Sequence, residues 1–249
     1  MAREQIKIVA LSKGRAGNIT THKVIDDIIV ICPANEVGHY RDLNPDLEII
    51  AEPKDCRGIT QARQFVLDQF DDVFMVDDDI EYVRNFFNGE GEDYKITNKQ
   101  HVRDIIEQTR AIAEQMGAKM FGYTHRRRPV AYYPQQPFRT TGFLNGSHCG
   151  YLKGHNLEYD TNMIEGEDYY MSCLNVYKNR FMIIDDRYGF MTTDNFANSG
   201  GCSGDRNTQI MQDDTIYLRE HFGDVVKMKK WSTHKKNVRE GERTIQFPF

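Results

Sequence analysis

Three consecutive aspartates, Asp77, Asp78 and Asp79, close the apolar run VFMV and lead into IEYV. Adjacent carboxylates repel, and a turn needs at most one of them, so the triplet asks for a counter-charge. Hard divalent cations such as Mg2+ and Mn2+ prefer carboxylate and phosphate oxygens. A cation carrying a nucleotide diphosphate is therefore the partner that the triplet suggests. Side chains alternate along a strand, so Asp77 and Asp79 are expected on one side and Asp78 on the other. The plain alternative is a solvated turn with helix-capping aspartates.

Other groups could join such a site. The segment EGEDYY places Glu165, Glu167 and Asp168 at a loop-to-helix junction. A carboxylate there can act as a general base toward an acceptor hydroxyl, or simply cap the helix. His234, in WSTHKKN near the C-terminus, is of a type that ligates Mn2+ more readily than Mg2+. Arg15 follows the first apolar run, and Arg57 and Arg63 belong to the segment before the triplet; each is able to grip a phosphate bidentately.

These residues need a frame. IKIVALS (6–12), DIIVICP (27–33), LEIIAEP (47–53) and VFMVDDD (73–79) read as strands, rich in Ile and Val and each ending in a turn signal. TTHKVIDD, EVGHYRDL and GITQARQFVLDQF lie between them as helix-like segments. The last carries Ile59, Ala62, Phe65, Val66 and Phe70 at helical spacing. Near-continuous apolar strands alternating with helices predict a mostly parallel sheet covered on both faces. Ligands gather at the carboxyl ends of such strands, which is where the aspartates fall.

Further along, a helix is predicted over 97–116, capped by Thr97 or Asn98 and closed by Gly117. The aromatic, proline-rich middle reads as antiparallel strands and loops. EGEDYYMSCLNVYKN reads as a loop entering a helix, RFMIIDDRYGFMT as a strand, 193–207 as a mobile glycine- and serine-rich loop, 208–222 as a helix and VVKMKKW as a strand. The chain of 249 residues is expected to form one domain, with a nucleotide-binding half (1–90) and an acceptor half (91–249).

At 39% hydrophobic residues and a net charge of −5, the chain can bury a core but must meet any polyanion with a local patch. The five cysteines show no CxxC or zinc spacing, which suggests free thiols in a reducing compartment. No signal peptide and no spanning segment are read, so a soluble, cytoplasmic protein is expected.

The order of these parts resembles the GT-A class of nucleotide-sugar glycosyltransferases: LSKGRAG (11–17), the DxD-like triplet, the GED of 166–168 and the C-terminal His234. GITQARQFVL resembles the ARN helix of that class, with Gln64 where asparagine is common. The segment from 197 to 231, with its GGCS…R loop (Gly200, Gly201, Arg206), is similar to the C-terminal region of phage TET-associated glycosyltransferases. Those enzymes transfer a sugar to hydroxymethylated pyrimidines in DNA.

The resemblance implies an α/β fold of GT-A type, with a Rossmann-like, mostly parallel sheet, helices on both faces and a smaller mixed sheet on the acceptor side. It implies a UDP-sugar donor bound by Ser12, Lys13, Arg15, Arg57, Arg63, Asp77, Asp78 and Arg206. Mn2+ or Mg2+ would sit on Asp79 and His234. Asp168, with Glu167 as the alternative, would be the base in an inverting displacement.

The implied acceptor is DNA bearing 5-hydroxymethylcytosine or 5-hydroxymethyluracil, met by Arg126, Arg127, Arg128, Gly200, Gly201 and Trp231. The THRRRP run beside Tyr123, Tyr132 and Tyr133, and seven Lys or Arg in 227–243, are the local basic patches available for it. Competing readings are a glycosyltransferase for a polysaccharide, lipid or protein acceptor, a nucleotidyltransferase, and a non-catalytic nucleic-acid-binding module. The last leaves both acidic motifs without a task.

Overall fold

The computed structural model describes residues 4–88, 94–127, 129, 132–192, 208–229 and 242–248. Its centre is an eight-stranded sheet in the order β3-β2-β1-β4-β9-β7-β10-β8. The first four strands in chain order are β1 (Lys7–Leu11), β2 (Ile28–Cys32), β3 (Glu48–Ala51) and β4 (Val73–Asp77). All four run parallel, with Ile8 level with Ile28 and Phe74, and Ile29 level with Glu48. The later strands are β7 (Met120–Tyr123), β8 (Phe138–Arg139), β9 (His148–Tyr151) and β10 (Ile183–Asp185). Of these, β9 lies antiparallel between β4 and β7, and β8 lies antiparallel on β10.

The apolar strands are continuous because both faces are covered, and the period of two sorts their residues. Ile8, Ala10, Phe74 and Val76 pack with Tyr40 of α1 (Val37–Leu43) and with Val102, Ile105 and Ile106 of α3 (Lys99–Met116). Val9, Ile31 and Met75 point the other way, to Val66 of α2 (Gly58–Gln69) and to Met171 and Val176 of α4 (Glu167–Asn179). A smaller cluster joins Met163 and Cys173 to Leu218 of α5 (Thr208–Phe222) and Val226 of β12 (Val226–Met228). The hydrophobic gain scales with the area covered, so a strand exposed on one face would carry polar residues there.

The predicted caps of α3 are present: Asn98 Oδ1 accepts from His101 N, and Gly117, at φ +79°, donates from its N–H to the carbonyls of Ala113 and Glu114. Glycine meets no Cβ penalty at that φ. TTHKVIDD forms only a single 3-10 turn, Thr21–Lys23. The strand read in RFMIIDDRYGFMT is two strands, β10 and β11 (Tyr188–Thr192), which belong to different sheets. The break is local. Asp185 Oδ1 accepts from the Arg187 N–H and Nε, and Asp185 Oδ2 accepts from Nη2, which folds the chain back on itself.

Two strand pairings had no counterpart in the sequence pattern. Strand β5 (Ile80–Asn85) starts directly after Asp79 and pairs antiparallel with β11 and with β6 (Lys95–Ile96), so the smaller sheet is antiparallel throughout. Strand β12 pairs antiparallel with β13 (Arg243–Ile245) as a C-terminal pair on the α4–α5 side. Among the described residues, no helix is long and apolar enough to cross a membrane.

Candidate active site

The aspartates stand where β4 ends, but the strand stops at Asp77, and Asp78 and Asp79 form a two-residue turn into β5. The alternation expected of an extended chain therefore does not reach Asp79. Instead of Asp77 sharing a task with Asp79, Asp78 and Asp79 share one guanidinium: Arg15 Nη1 donates to Asp78 Oδ1 at 3.1 Å and to Asp79 Oδ2 at 3.2 Å. Asp77 faces Arg63, with 4.0 Å between Oδ1 and Nη2.

Asp78 is buried and fully engaged. Its Oδ2 accepts a short hydrogen bond from Ser12 Oγ, which also meets Tyr40 OH at 2.8 Å. Tyr40 OH in turn accepts from the Arg15 N–H at 3.1 Å, so the loop after β1 is locked to the turn after β4. Thr21 braces the same turn from below: its Oγ1 donates to the Asp77 carbonyl at 2.6 Å and accepts from the Ile80 N–H at 3.0 Å. Thus a side chain replaces the backbone bond that would otherwise close the turn.

Arg63 projects from α2 and is almost wholly buried. Nη1 lies 3.1 Å from Glu167 Oε1 at the start of α4, so one guanidinium spans Asp77 and Glu167. It also lies flat against the chain at Gly146, where a Cβ would sit 1.2 Å from Nη1. Helix α2 is fixed to the acceptor side at two further points. Thr60 Oγ1 donates to the Met163 carbonyl at 2.8 Å, and Gln64 Oε1 accepts from the Tyr159 N–H at 2.7 Å. Gln64, the departure from the ARN pattern, is thereby a structural tie.

Helix α4 opens at Gly166, with Glu167 and Asp168 in its first turn, where acidic groups favour the positive end of the helix. Burial, followed by the charge of Glu167, raises the Asp168 carboxyl to about 7, against the opposing pull of Arg63, Arg243 and the Tyr169 N–H. Asp77 is raised as well, by its surroundings first and then by Asp79 and Asp78, with Arg63 working against it and with 44% of its side chain exposed. Asp79 is shifted upward by burial and by Asp78, and Arg15 opposes the shift. A carboxyl poised near neutrality at a helix start, with raised carboxyls at the strand end across Arg63, suits groups that exchange protons or await a cation.

Three buried polar atoms around the triplet have no hydrogen-bond partner or ion pair among the described residues: Arg15 Nε, Arg63 Nε and Asp79 Oδ1. Such atoms are costly when left unmet. They belong to the loop after β1, to α2 and to the turn after β4, and they suit the oxygens and the cation of a bound phosphate. No group of three or more His, Cys, Asp and Glu side chains among the described residues forms a ready metal cage. Mg2+ and Mn2+ need only one or two carboxylates when a diphosphate supplies further oxygens, and Asp79 Oδ1 fits that need.

Of the other residues read from the sequence, Lys13 is exposed beside Ser12, and Arg57 is exposed at the N-cap of α2, its N–H donating to Gln61 Oε1. Arg126 is half-buried, its N–H donating to Thr124 Oγ1 at 3.3 Å, and Arg127 is exposed. Arg128, Gly200, Gly201, Arg206, Trp231 and His234, together with the loop read over 193–207, lie outside the described residues. Tyr40, Thr21, Gly146 and Arg243 were not singled out by sequence. Gly146, in the turn-like run LNGSHCG, offered the one local signal.

The described fold and the acidic strand end facing an acidic helix start define an α/β protein of GT-A type. In sequence, residues 6–201 match the TET-associated glycosyltransferase family. The chain belongs to that family. No curated protein matches it in sequence. Among solved structures, the crystal structure of S. aureus TarS aligns with 87% of this chain and 40% of that chain, at 10% identity and a TM-score of 0.44. The chain thus spans less than half the length of that neighbour.

Proposed function

We propose that this chain is a glycosyltransferase that moves a sugar from a UDP-sugar to the hydroxymethyl group of 5-hydroxymethylcytosine or 5-hydroxymethyluracil in DNA, with inversion at the anomeric carbon. The observation that carries the donor side is the set of unmet polar atoms on Arg15, Arg63 and Asp79 at the end of β4. Arg15 is held by Asp78 and Asp79 and Arg63 by Asp77 and Glu167, so two cations stand at the strand end where a diphosphate would need them. Ser12, Lys13 and the partly exposed Asp77 border the same strand ends and suit the nucleoside.

On the acceptor side, Asp168 takes the proton from the attacking hydroxyl. The new bond joins that oxygen to the anomeric carbon as the bond from carbon to the diphosphate oxygen breaks, and the nucleoside diphosphate leaves with the electron pair. A base near neutrality suits this task, because it is partly ionised at working pH and still holds a proton strongly enough to accept one. Asp79, with the family's C-terminal histidine position at His234, would hold Mn2+ or Mg2+, whose charge offsets that of the departing diphosphate. Glu167 is committed to Arg63, which favours Asp168 over its neighbour as base.

DNA as acceptor is supported by the resemblance to enzymes that act on hydroxymethylated pyrimidines and by the basic run containing Arg126 and Arg127, followed in sequence by Tyr132 and the 62% exposed Tyr133. Phosphate contacts of this kind weaken steeply with salt. The test is incubation with Mn2+, a mixture of UDP-sugars and DNA containing hydroxymethylated pyrimidine, followed by digestion and nucleoside mass measurement. A hexose- or pentose-sized gain on the modified base is the expected result. UDP release without a mass gain would move the acceptor elsewhere, and sugar 1-phosphate release with a uridylyl-sized gain would replace transfer of sugar by transfer of nucleotide.

A further inference from the structure

Arg243 lies beyond the residues that match the family, on β13, and is only 6% exposed. Its guanidinium fills the space that a side chain at position 166 would take. A Cβ on Gly166 would lie 2.3 Å from Arg243 Nη2, 2.4 Å from Cζ and 2.7 Å from Nε. Gly166 is the N-cap of α4 at φ +82°, a conformation that glycine adopts freely. The glycine is therefore doubly required, by its backbone and by the arginine packed on it.

Arg243 ties this corner to its surroundings. Nη1 donates to Thr215 Oγ1 at 3.2 Å and to the Met211 carbonyl at 3.3 Å, both on α5. The guanidinium carbon stands 5.2 Å from the Tyr169 ring centroid, and Tyr169 OH donates to the Arg243 carbonyl at 3.3 Å. The other face of the contact is equally packed: Tyr169 stacks on Phe143 at 4.1 Å between centroids. An arginine is expensive to bury, and tail packing alone is served as well by an apolar side chain.

We propose that Arg243 is a positioning residue of the transfer site, seating the Gly166-Glu167-Asp168 corner against α5 and setting the charge around the Asp168 carboxyl. This rests on the reading of Asp168 as the base. The charged and titratable groups facing Asp168 are Glu167 and Tyr169 on its own helix, Arg63 from α2, Cys149 from β9 and Arg243 from β13. Burial and Glu167 push the carboxyl up, whereas Arg63 and Arg243 pull it down. Arg63 is already shared with Asp77 and Glu167, which leaves Arg243 as the adjustable cation.

The experiment uses the full chain with Arg243→Met, Arg243→Lys and Asp168→Asn, and follows single-turnover transfer from pH 5.5 to 9.5 with donor affinity measured separately. In Arg243→Met the acid limb should move up by about one pH unit, with roughly a fivefold loss at pH 7 that recovers near pH 9. Donor affinity should hold. Arg243→Lys keeps the charge but not the planar contacts, so its limb should stay in place while the rate falls severalfold. An equal loss at every pH in Arg243→Met, tracking the folded fraction, would overturn the proposal. Should that variant not fold, a wild-type rate in Arg243→Lys overturns it instead. Absence of transfer by the wild type, or its persistence in Asp168→Asn, would fail the reading of the site itself. An inactive Asp168→Asn beside an unshifted Arg243→Met would fail only the role of Arg243.

Discussion

Gly146→Ala offers the sharpest perturbation, because it adds one methyl group and removes nothing. The backbone there is not in the left-handed region, so alanine adopts it without strain. The new Cβ would fall 1.2 Å from Arg63 Nη1, 2.2 Å from Cζ and 2.7 Å from Nη2, where ordinary contact begins at 3.4 Å. The guanidinium must therefore retreat by roughly 2 Å, more than its 3.1 Å approach to Glu167 tolerates. Losing a buried charge pair outright costs about 3–5 kcal/mol. A side chain that shifts and regains some solvent should cost about 1–3 kcal/mol.

For a chain of this length that lowers the Tm by about 2–4 °C per kcal/mol. The kinetic effect should be larger in proportion. Misplacing a site by about 1 Å can cost on the order of 100-fold, and Arg63 holds Asp77 on one side and Glu167, beside the base, on the other. The assay is the transfer rate at saturating donor on protein verified as folded by its melting curve. Gly17→Ala serves as the control, since its Cβ would meet only Leu43 Cδ1 at 3.7 Å. A rate for Gly146→Ala within twofold of wild type would refute the claim that Arg63 organises the site.

Asp79→Ala should abolish metal-dependent turnover with the fold intact, and normal activity at low Mn2+ would refute its role. Asp168→Asn should lose transfer, keep donor binding and gain stability at pH 8. A raised carboxyl binds its proton more tightly folded than unfolded, so its ionisation erodes stability as the pH climbs from about 4 to about 7. A melting temperature for the variant below wild type at pH 8 would contradict this. For the wild type, the transfer rate should rise with pH through about 7, and a flat profile between pH 6 and 8 would place the base elsewhere. DNA binding should weaken roughly in step with the logarithm of salt concentration, and salt-independent binding would remove the basic patch from the interface.

Much of the parallel half was legible because its signal is local. The runs IVAL (8–11), IIVIC (28–32) and VFMV (73–76) are apolar at every position, as a sheet covered on both faces requires. The cap at Asn98 and the stop at Gly117 were equally readable, as each rests on one residue type at one place. Partnership within the site was not. That Arg15 would hold Asp78 and Asp79 depended on the chain turning immediately after Asp77, and the turn depends on Thr21, distant in sequence. Nothing local shows that Arg63 lies across from Glu167. Arg243 gave no signal at all, since in sequence it is one more cation in a basic tail.

The place of β9 has a consequence for how the chain is made. The strand that seals the free side of β4 comes from residues 148–151, well after the nucleotide-binding segments have been synthesised. During translation, at roughly 5–20 residues per second, β4 would wait on the order of several seconds with one edge unpaired. An apolar strand with an open edge invites pairing with another chain. A fragment ending near residue 90 should therefore aggregate rather than fold, and supplying residues 118–152 in trans should rescue it.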